Sequence, residues 1–273
     1  MEAATQSAST LYDQRASAIR HHLFLLCPNN SGSTFLSQAI GRCSKVWSLE
    51  REGQHTFGFA GPSTMRTKWP LIWAASEESL SHFTDSAAYD WQRNKRVWYL
   101  QATAEDPAAS VFITKAPPFL MLADDLRAAF ANTSFIIMVR NPYAALEGIL
   151  RRRRRSHIAD PGDLASIGAR HLITCMARQK DNAAQHADIS MTVSYEELCA
   201  DPANAGAQIR ALVPGLDDLD LVKRQTVKGI YDEPLRDMNA EQIERLTPAD
   251  IAAANAVFSQ HRDLLAHFGY ELI

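Results

Sequence analysis

Residues 23–40 read LFLLCPNNSGSTFLSQAI, an unbroken apolar run, a small polar turn and a helical pattern in direct succession. A continuous apolar run of strand length (23–27) suits a central parallel strand, buried on both faces. A strand that feeds straight into a helix commits the chain to crossover connections, because parallel strands cannot be joined by a tight hairpin. The alternation continues with strand-like runs at 45–49, 111–114, 134–139 (SFIIMV, the clearest) and 191–194. Helical patterns follow the turn over about 33–41, run from Pro117-Pro118 to about Phe130, and start at Pro142 to end in the Arg151–Arg155 run. Further helices are expected over about 164–186 and near 248–267, with helices and loops between. The expectation is an α/β fold, a parallel sheet with helices on both faces. Residues 53–106 show no clear period and hold Trp69, Trp73, Trp91 and Trp98. These are either core or the lining of a substrate pocket.

The turn after the first strand has the properties of an anion cradle. Successive N–H groups converge there, and the helix N-terminus adds about half a positive charge. Ser31, Gly32, Ser33 and Thr34 are small enough for a phosphate to approach the backbone, and Gly32 tolerates a positive φ. The competing reading is a side-chain-capped turn. A Walker A loop would read G-x-x-x-x-G-K-[ST]. Cys27 stands in place of its first glycine and Ser33 in place of its lysine, so a ligand without a γ-phosphate fits better than ATP or GTP. The 134–139 strand delivers Arg140 to the carboxyl edge of the sheet, where such folds bind ligands. A guanidinium there grips a phosphate through paired hydrogen bonds or forms a structural ion pair.

Across 273 residues the net charge is −3, which argues against nucleic acid or an anionic membrane as partner. No apolar stretch approaches the length of a membrane span. Residues 1–20 lack the apolar core of a signal peptide and are expected to form a flexible leader to a single domain over 21–273, in the cytoplasm. Cys27, Cys43, Cys175 and Cys199 form no C-x-x-C pair, so reduced thiols are expected rather than a metal site. The sequence carries no signal for oligomeric state.

In this order and spacing the motifs resemble the sulfotransferases that use 3′-phosphoadenosine 5′-phosphosulfate (PAPS). The family's 5′-phosphosulfate loop is similar to residues 28–34, its Arg-x-Pro strand end to Arg140-Asn141-Pro142, and its Lys-containing strand end to Thr114-Lys115-Ala116-Pro117. Ser194-Tyr195-Glu196-Glu197-Leu198 with Asp201-Pro202, and the terminal Phe268-Gly269-Tyr270, resemble later family segments. The resemblance implies a P-loop-like three-layer fold with a central parallel sheet flanked by helices. It also implies sulfuryl transfer from PAPS to a hydroxyl or amine of an acceptor, with release of 3′-phosphoadenosine 5′-phosphate (PAP). With nothing in the sequence suggesting a membrane context, a small-molecule acceptor is expected, and no metal, since the loop and Lys115 supply the positive field. Donor binding would fall to Asn30, Ser31, Gly32, Ser33, Thr34 and Arg140, and leaving-group stabilisation to Lys115. The resemblance favours Glu52 as the base, with Glu50 and His55 as rivals; ordinary polar loop residues are the alternative for all three. Family loops carry Lys or Arg at the place of Asn30, and a serine at the place of Gly148. Lys228-Gly229 weakly resembles a loop that closes over the 3′-phosphate. The Arg151–Arg155 run is either a solvated helix end or an attractor for an anionic ligand. A non-catalytic sulfotransferase fold and a P-loop kinase are the alternatives.

Overall fold

A computed structural model describes residues 2–156, 158, 162–223, 225–227, 231–233 and 235–273. Five parallel strands form the central sheet: β1 (His21–Leu26), β2 (Val46–Ser48), β3 (Val111–Lys115), β4 (Thr133–Val139) and β5 (Ser190–Ser194), in the order β2-β3-β1-β4-β5. The unbroken apolar run of β1 follows from its central place. Leu23 and Leu25 pack with Val111, Ile113, Ile136 and Met138 on one face. Phe24 and Leu26 pack with Phe112, Phe135 and Ile137 on the other.

Helices cover both faces. Along the chain they are α1 (Glu2–Ala18), α2 (Ser33–Gly41), α3 (Glu77–Thr84), α4 (Trp91–Gln101), α5 (Ala123–Ala129) and α6 (Pro142–Arg153). Then come α7 (Leu164–Gln185), α8 (Tyr195–Ala200), α9 (Pro202–Leu212), α10 (Asn239–Ile243), α11 (Pro248–Phe258) and α12 (Arg262–His267). Phe35, Leu36 and Ile40 of α2 seal one face together with Leu198 and Ile209. Trp73, Trp98, Phe119 and Phe130 fill the other with an aromatic cluster, so the tryptophans belong mainly to the core. A third cluster joins α6, α7 and α11 through Tyr143, Ile149, Leu172 and Phe258.

Several elements depart from the expected ones. Residues 2–18 form α1 where composition predicts a flexible leader. Arg15 anchors its end, donating to the carbonyls of Tyr99 and Ala102 and lying 4.6 Å over the Trp47 ring. Pro117-Pro118 opens a 3-10 turn (Pro117–Met121), and α5 begins only at Ala123. The last expected helix is split by a 3-10 turn into α11 and α12. A short antiparallel pair, β6 (Gln225–Val227) and β7 (Tyr231–Glu233), stands where helices and loops are expected. Lys228 lies outside the described residues. Among the described residues no helix is long and apolar enough to cross a membrane.

Two buried histidines make the fold acid-sensitive. His171, fully buried against Trp73, accepts the Ala74 N–H at 3.1 Å, and desolvation lowers its pKa to about 3. Desolvation likewise lowers the His22 pKa to about 4. As pH falls below the ordinary 6.5, the unfolded chain takes up protons that the folded chain refuses. Each histidine then removes about 1.4 kcal/mol of stability per pH unit until its folded pKa is reached. Urea unfolding at pH 7 and pH 5 checks this. The midpoint is expected to drop at pH 5, and an unchanged midpoint would contradict it.

Candidate active site

Parallel register brings the chemistry-bearing residues to one edge of the sheet. Leu25 pairs with Lys115, Leu26 with Ile137 and Val139 with Ser194. The turn after β1, Lys115, Arg140 and Tyr195 therefore all emerge together at the carboxyl edge.

The turn has a distinctive backbone shape. Asn30 and Gly32 take positive φ values of 66° and 85°. Gly32 sits at the N-cap of α2, which has no side-chain cap. Among the described residues, the N–H groups of Ser31, Gly32, Ser33 and Thr34 meet no carbonyl outside the helix. With no side-chain cap either, the capped-turn reading does not apply, and the helix N-terminus keeps its donors unpaired among the described residues. The buried Ser31 hydroxyl donates to Pro28 O at 2.9 Å and braces the turn, leaving its N–H free of that bond. Gly32 is required for a second reason, since a Cβ there would lie 2.6 Å from Tyr195 Cδ2. Trp73 holds the turn from behind, donating from Nε1 to Asn29 Oδ1 at 3.3 Å.

Arg140 is built into this edge rather than left in a surface ion pair. Its guanidinium stacks 3.9 Å over the Tyr195 ring. Nε donates to Asn239 Oδ1 (2.9 Å), Nη1 to Asn30 O (2.9 Å) and Nη2 to Gln242 Oε1. Three of its five N–H groups are thus engaged, and the planar fork is locked. Burial lowers its pKa, opposed by Tyr195 and Glu196, but an arginine stays charged regardless. Behind it, Glu196 accepts from Asn141 N (2.9 Å), Asn239 Nδ2 and Tyr270 OH (3.0 Å). The Tyr-Glu-Glu-Leu and Phe-Gly-Tyr segments therefore share one task, holding the Arg-Asn-Pro turn.

Lys115 Nζ donates to Glu52 Oε1 at 2.9 Å, with both side chains mostly buried. Gln54 Nε2 donates to Glu52 Oε2 at 3.0 Å, and His55 Nε2 lies 3.6 Å from the same oxygen. Burial alone would push the Glu52 carboxyl up. The Lys115 ammonium, its hydrogen bond, Gln54 and His55 outweigh burial and hold the pKa below the ordinary value. Gly53 is gripped between Thr114, Trp98 and Phe119, which fixes the backbone next to Glu52. His55 Nδ1 is paired with Ser63 Oγ at 3.1 Å, and burial lowers its pKa. Glu50 is exposed and has no part in this cluster. Among the described residues, no group of three His, Cys, Asp or Glu could hold a metal ion.

Gly148 and Asn30, the two departures from the family pattern, touch. A Cβ at residue 148 would lie 2.7 Å from Asn30 Cγ, so the asparagine occupies the space that a side chain on α6 would need. Gly148→Ala is expected to cost about 1–3 kcal/mol by overpacking. The cost should largely vanish in an Asn30→Gly background, where the positive φ is also tolerated. A double-mutant cycle in urea reads the coupling, and additive effects would contradict it.

Asn239 and Gln242 were invisible in the sequence because α10 is a single short turn with no periodic signal. The role of Tyr195 was hidden inside its motif, since a tyrosine after a strand does not announce what stacks on it.

Over residues 23–216 the sequence matches the model of the sulfotransferase family. Among solved structures, the sulfotransferase domain from the Synechococcus PCC 7002 olefin synthase superposes with a TM-score of 0.60 at 20% identity, covering 93% of this chain and 95% of that one. Sulfotransferase STF9 from Mycobacterium avium gives 0.57 at 15% identity, with 99% and 82% covered. The sulfotransferase domain from the curacin biosynthetic pathway gives 0.55 at 16% identity, with 93% and 99% covered. No curated protein sequence matches the chain.

Proposed function

The chain belongs to the sulfotransferase family, and from that premise we propose that it transfers a sulfuryl group from PAPS to a hydroxyl or amine of a small-molecule acceptor, releasing PAP. The observation that carries this reading is the convergence at one sheet edge of an uncapped helix N-terminus, a stacked arginine and a buried lysine–glutamate pair. The buried Asn30 Nδ2 has no partner among the described residues, which supports a site built to receive an acceptor group from a ligand.

In this reading the N–H groups of Ser31–Thr34 hold the 5′-phosphosulfate, and Arg140 offers its two remaining N–H groups to the 3′-phosphate. Glu52 is the general base. Its carboxylate, ionised at neutral pH, takes the acceptor proton as the acceptor oxygen or nitrogen bonds to sulfur. The bond from sulfur to the bridging oxygen breaks, and its electron pair stays on the 5′-phosphate of PAP. Lys115 and the helix N-terminus meet that growing charge. Proton transfer to Glu52 weakens its pairing with Lys115 and frees the ammonium for the leaving group at the step that needs it. Four unpaired cysteines accord with a reducing compartment, and we place the activity in the cytoplasm.

The test is a turnover assay with PAPS and a panel of alcohols, phenols and amines, reading PAP release and the acceptor's gain of one sulfuryl group by mass. Acceptor-dependent PAP release supports the proposal. The alternative is a non-catalytic member of the fold, favoured by the absence of any lysine or arginine in residues 28–34. It predicts no release with any acceptor.

A further inference from the structure

The anion-binding turn contains no cation of its own: residues 28–34 read PNNSGST. A phosphosulfate group arriving there carries negative charge on both halves, and until Lys115 is released from Glu52, backbone N–H groups alone would have to balance it. The nearby cations are already committed. Lys115 is paired with Glu52 at 2.9 Å, and the Arg140 fork is bonded to Asn30, Asn239 and Gln242.

The arginine run at the end of α6 divides by partner. Arg151 Nε donates to Glu147 Oε1 at 2.8 Å, and Arg154 grips Asp250 at 2.5 and 3.3 Å. Arg153 is buried, 1% exposed, with Nη1 toward Lys68 O. Arg152 differs: it reaches the turn itself, with Nη1 3.5 Å from Asn30 Oδ1. Among the described residues it lies within ion-pair distance of no carboxylate, although Glu52 is near enough to favour its charge.

The helix makes room for this reach. Gly148 and Arg152 are one turn apart, on the same face of α6. Because Gly148 has no side chain, the Asn30 amide lies flat against the helix, where a Cβ would meet it at 2.7 Å. The amide oxygen is then presented to the Arg152 guanidinium, while Nδ2 stays buried without a partner. Although Arg152 is exposed as a residue, its guanidinium end rests on Asn30 and is partly screened from water, which strengthens any contact it makes with an anion.

We propose that Arg152, delivered from α6 and steered by Asn30 across Gly148, binds the donor's 5′-phosphosulfate and supplies the positive charge that the turn lacks. This rests on the donor reading above. Arg152 is then a donor-binding residue, while Asn30 and Gly148 are positioning residues that act through it.

The test compares two ligands by calorimetry on the full chain: PAP, and adenosine 3′-monophosphate, which lacks the 5′-phosphate. Arg152→Gln is expected to weaken PAP about tenfold or more, the loss of one charged hydrogen bond, and to leave adenosine 3′-monophosphate unchanged. Arg152→Lys should keep part of the PAP affinity. Arg152 is exposed, so the melting temperature of both variants should stay at the wild-type value. Wild-type PAP binding with no change in Arg152→Gln would overturn this inference alone, as would an equal loss for both ligands. Failure of the wild-type chain to bind PAP would overturn the donor reading and this inference with it.

Discussion

Arg140→Ala is expected to weaken PAP binding by about a hundredfold or more. Two charge-assisted hydrogen bonds to the 3′-phosphate are each worth roughly 1.5–3 kcal/mol, and about 1.4 kcal/mol is a factor of ten. The loss is larger than the deleted contacts because the same guanidinium clamps the turn through Asn30 O. Without it, Asn30 O, Asn239 Oδ1 and Gln242 Oε1 all lose a donor. Arg140→Lys should recover little. An ammonium cannot stack on Tyr195 as a planar fork does, nor reach three acceptors while offering two further donors. Calorimetry gives the affinity, and urea unfolding separates lost binding from lost fold. A folded Arg140→Ala chain that binds PAP as the wild type does would contradict the assignment.

Glu52→Gln is expected to lower kcat by about 10²–10⁴-fold, the usual contribution of a general base, and to change PAP affinity only a few-fold. Glu50→Gln, on an exposed side chain outside the cluster, should leave both unchanged. The pH profile separates Glu52 from His55. A depressed carboxylate pKa keeps the base ionised until pH falls below the ordinary 4.5. With Glu52 as base, kcat/KM of the folded enzyme therefore holds from neutrality down to that region and drops only beneath it. An acid limb above the ordinary carboxylate 4.5 but below the ordinary 6.5 of histidine, as burial of His55 dictates, would move the role to His55. The assay must be read on the folded fraction, because the buried histidines weaken the fold over the same range.

Much of the architecture was legible because the central strands must be apolar on both faces. β1 and β4 read as unbroken runs for that reason, and the residues that follow each of them necessarily fall at the ligand-binding edge. The place of the turn and of Arg140 at that edge is therefore legible in the sequence. Other features depended on encounters between distant segments. The Tyr195 platform under Arg140, the Asn239 and Gln242 acceptors and the contact of Gly148 with Asn30 join positions that no local pattern relates. The sequence shows that Asn30 and Gly148 both depart from the family pattern, but only the fold shows that each makes room for the other. Residues 53–106 resisted reading because they build an aromatic layer from single 3-10 turns and two short helices, with no sustained period. α1 gives little sequence signal because it docks through a few contacts, Arg15 on backbone carbonyls and the Trp47 ring and Tyr12 stacked on Tyr99, rather than through a long apolar stripe. The arginine run read as one block, whereas its members serve Glu147, Asp250, the interior and the turn separately.

The most direct test of the central claim is a parallel calorimetric titration of the wild-type chain with PAP and with ADP, without magnesium. Both ligands carry adenosine and a 5′-phosphate group, but only PAP carries the 3′-phosphate assigned to Arg140. Micromolar binding of PAP with far weaker binding of ADP is the predicted result. Equal affinity for the two, or no binding of PAP, would contradict the assignment of this site to a PAPS donor.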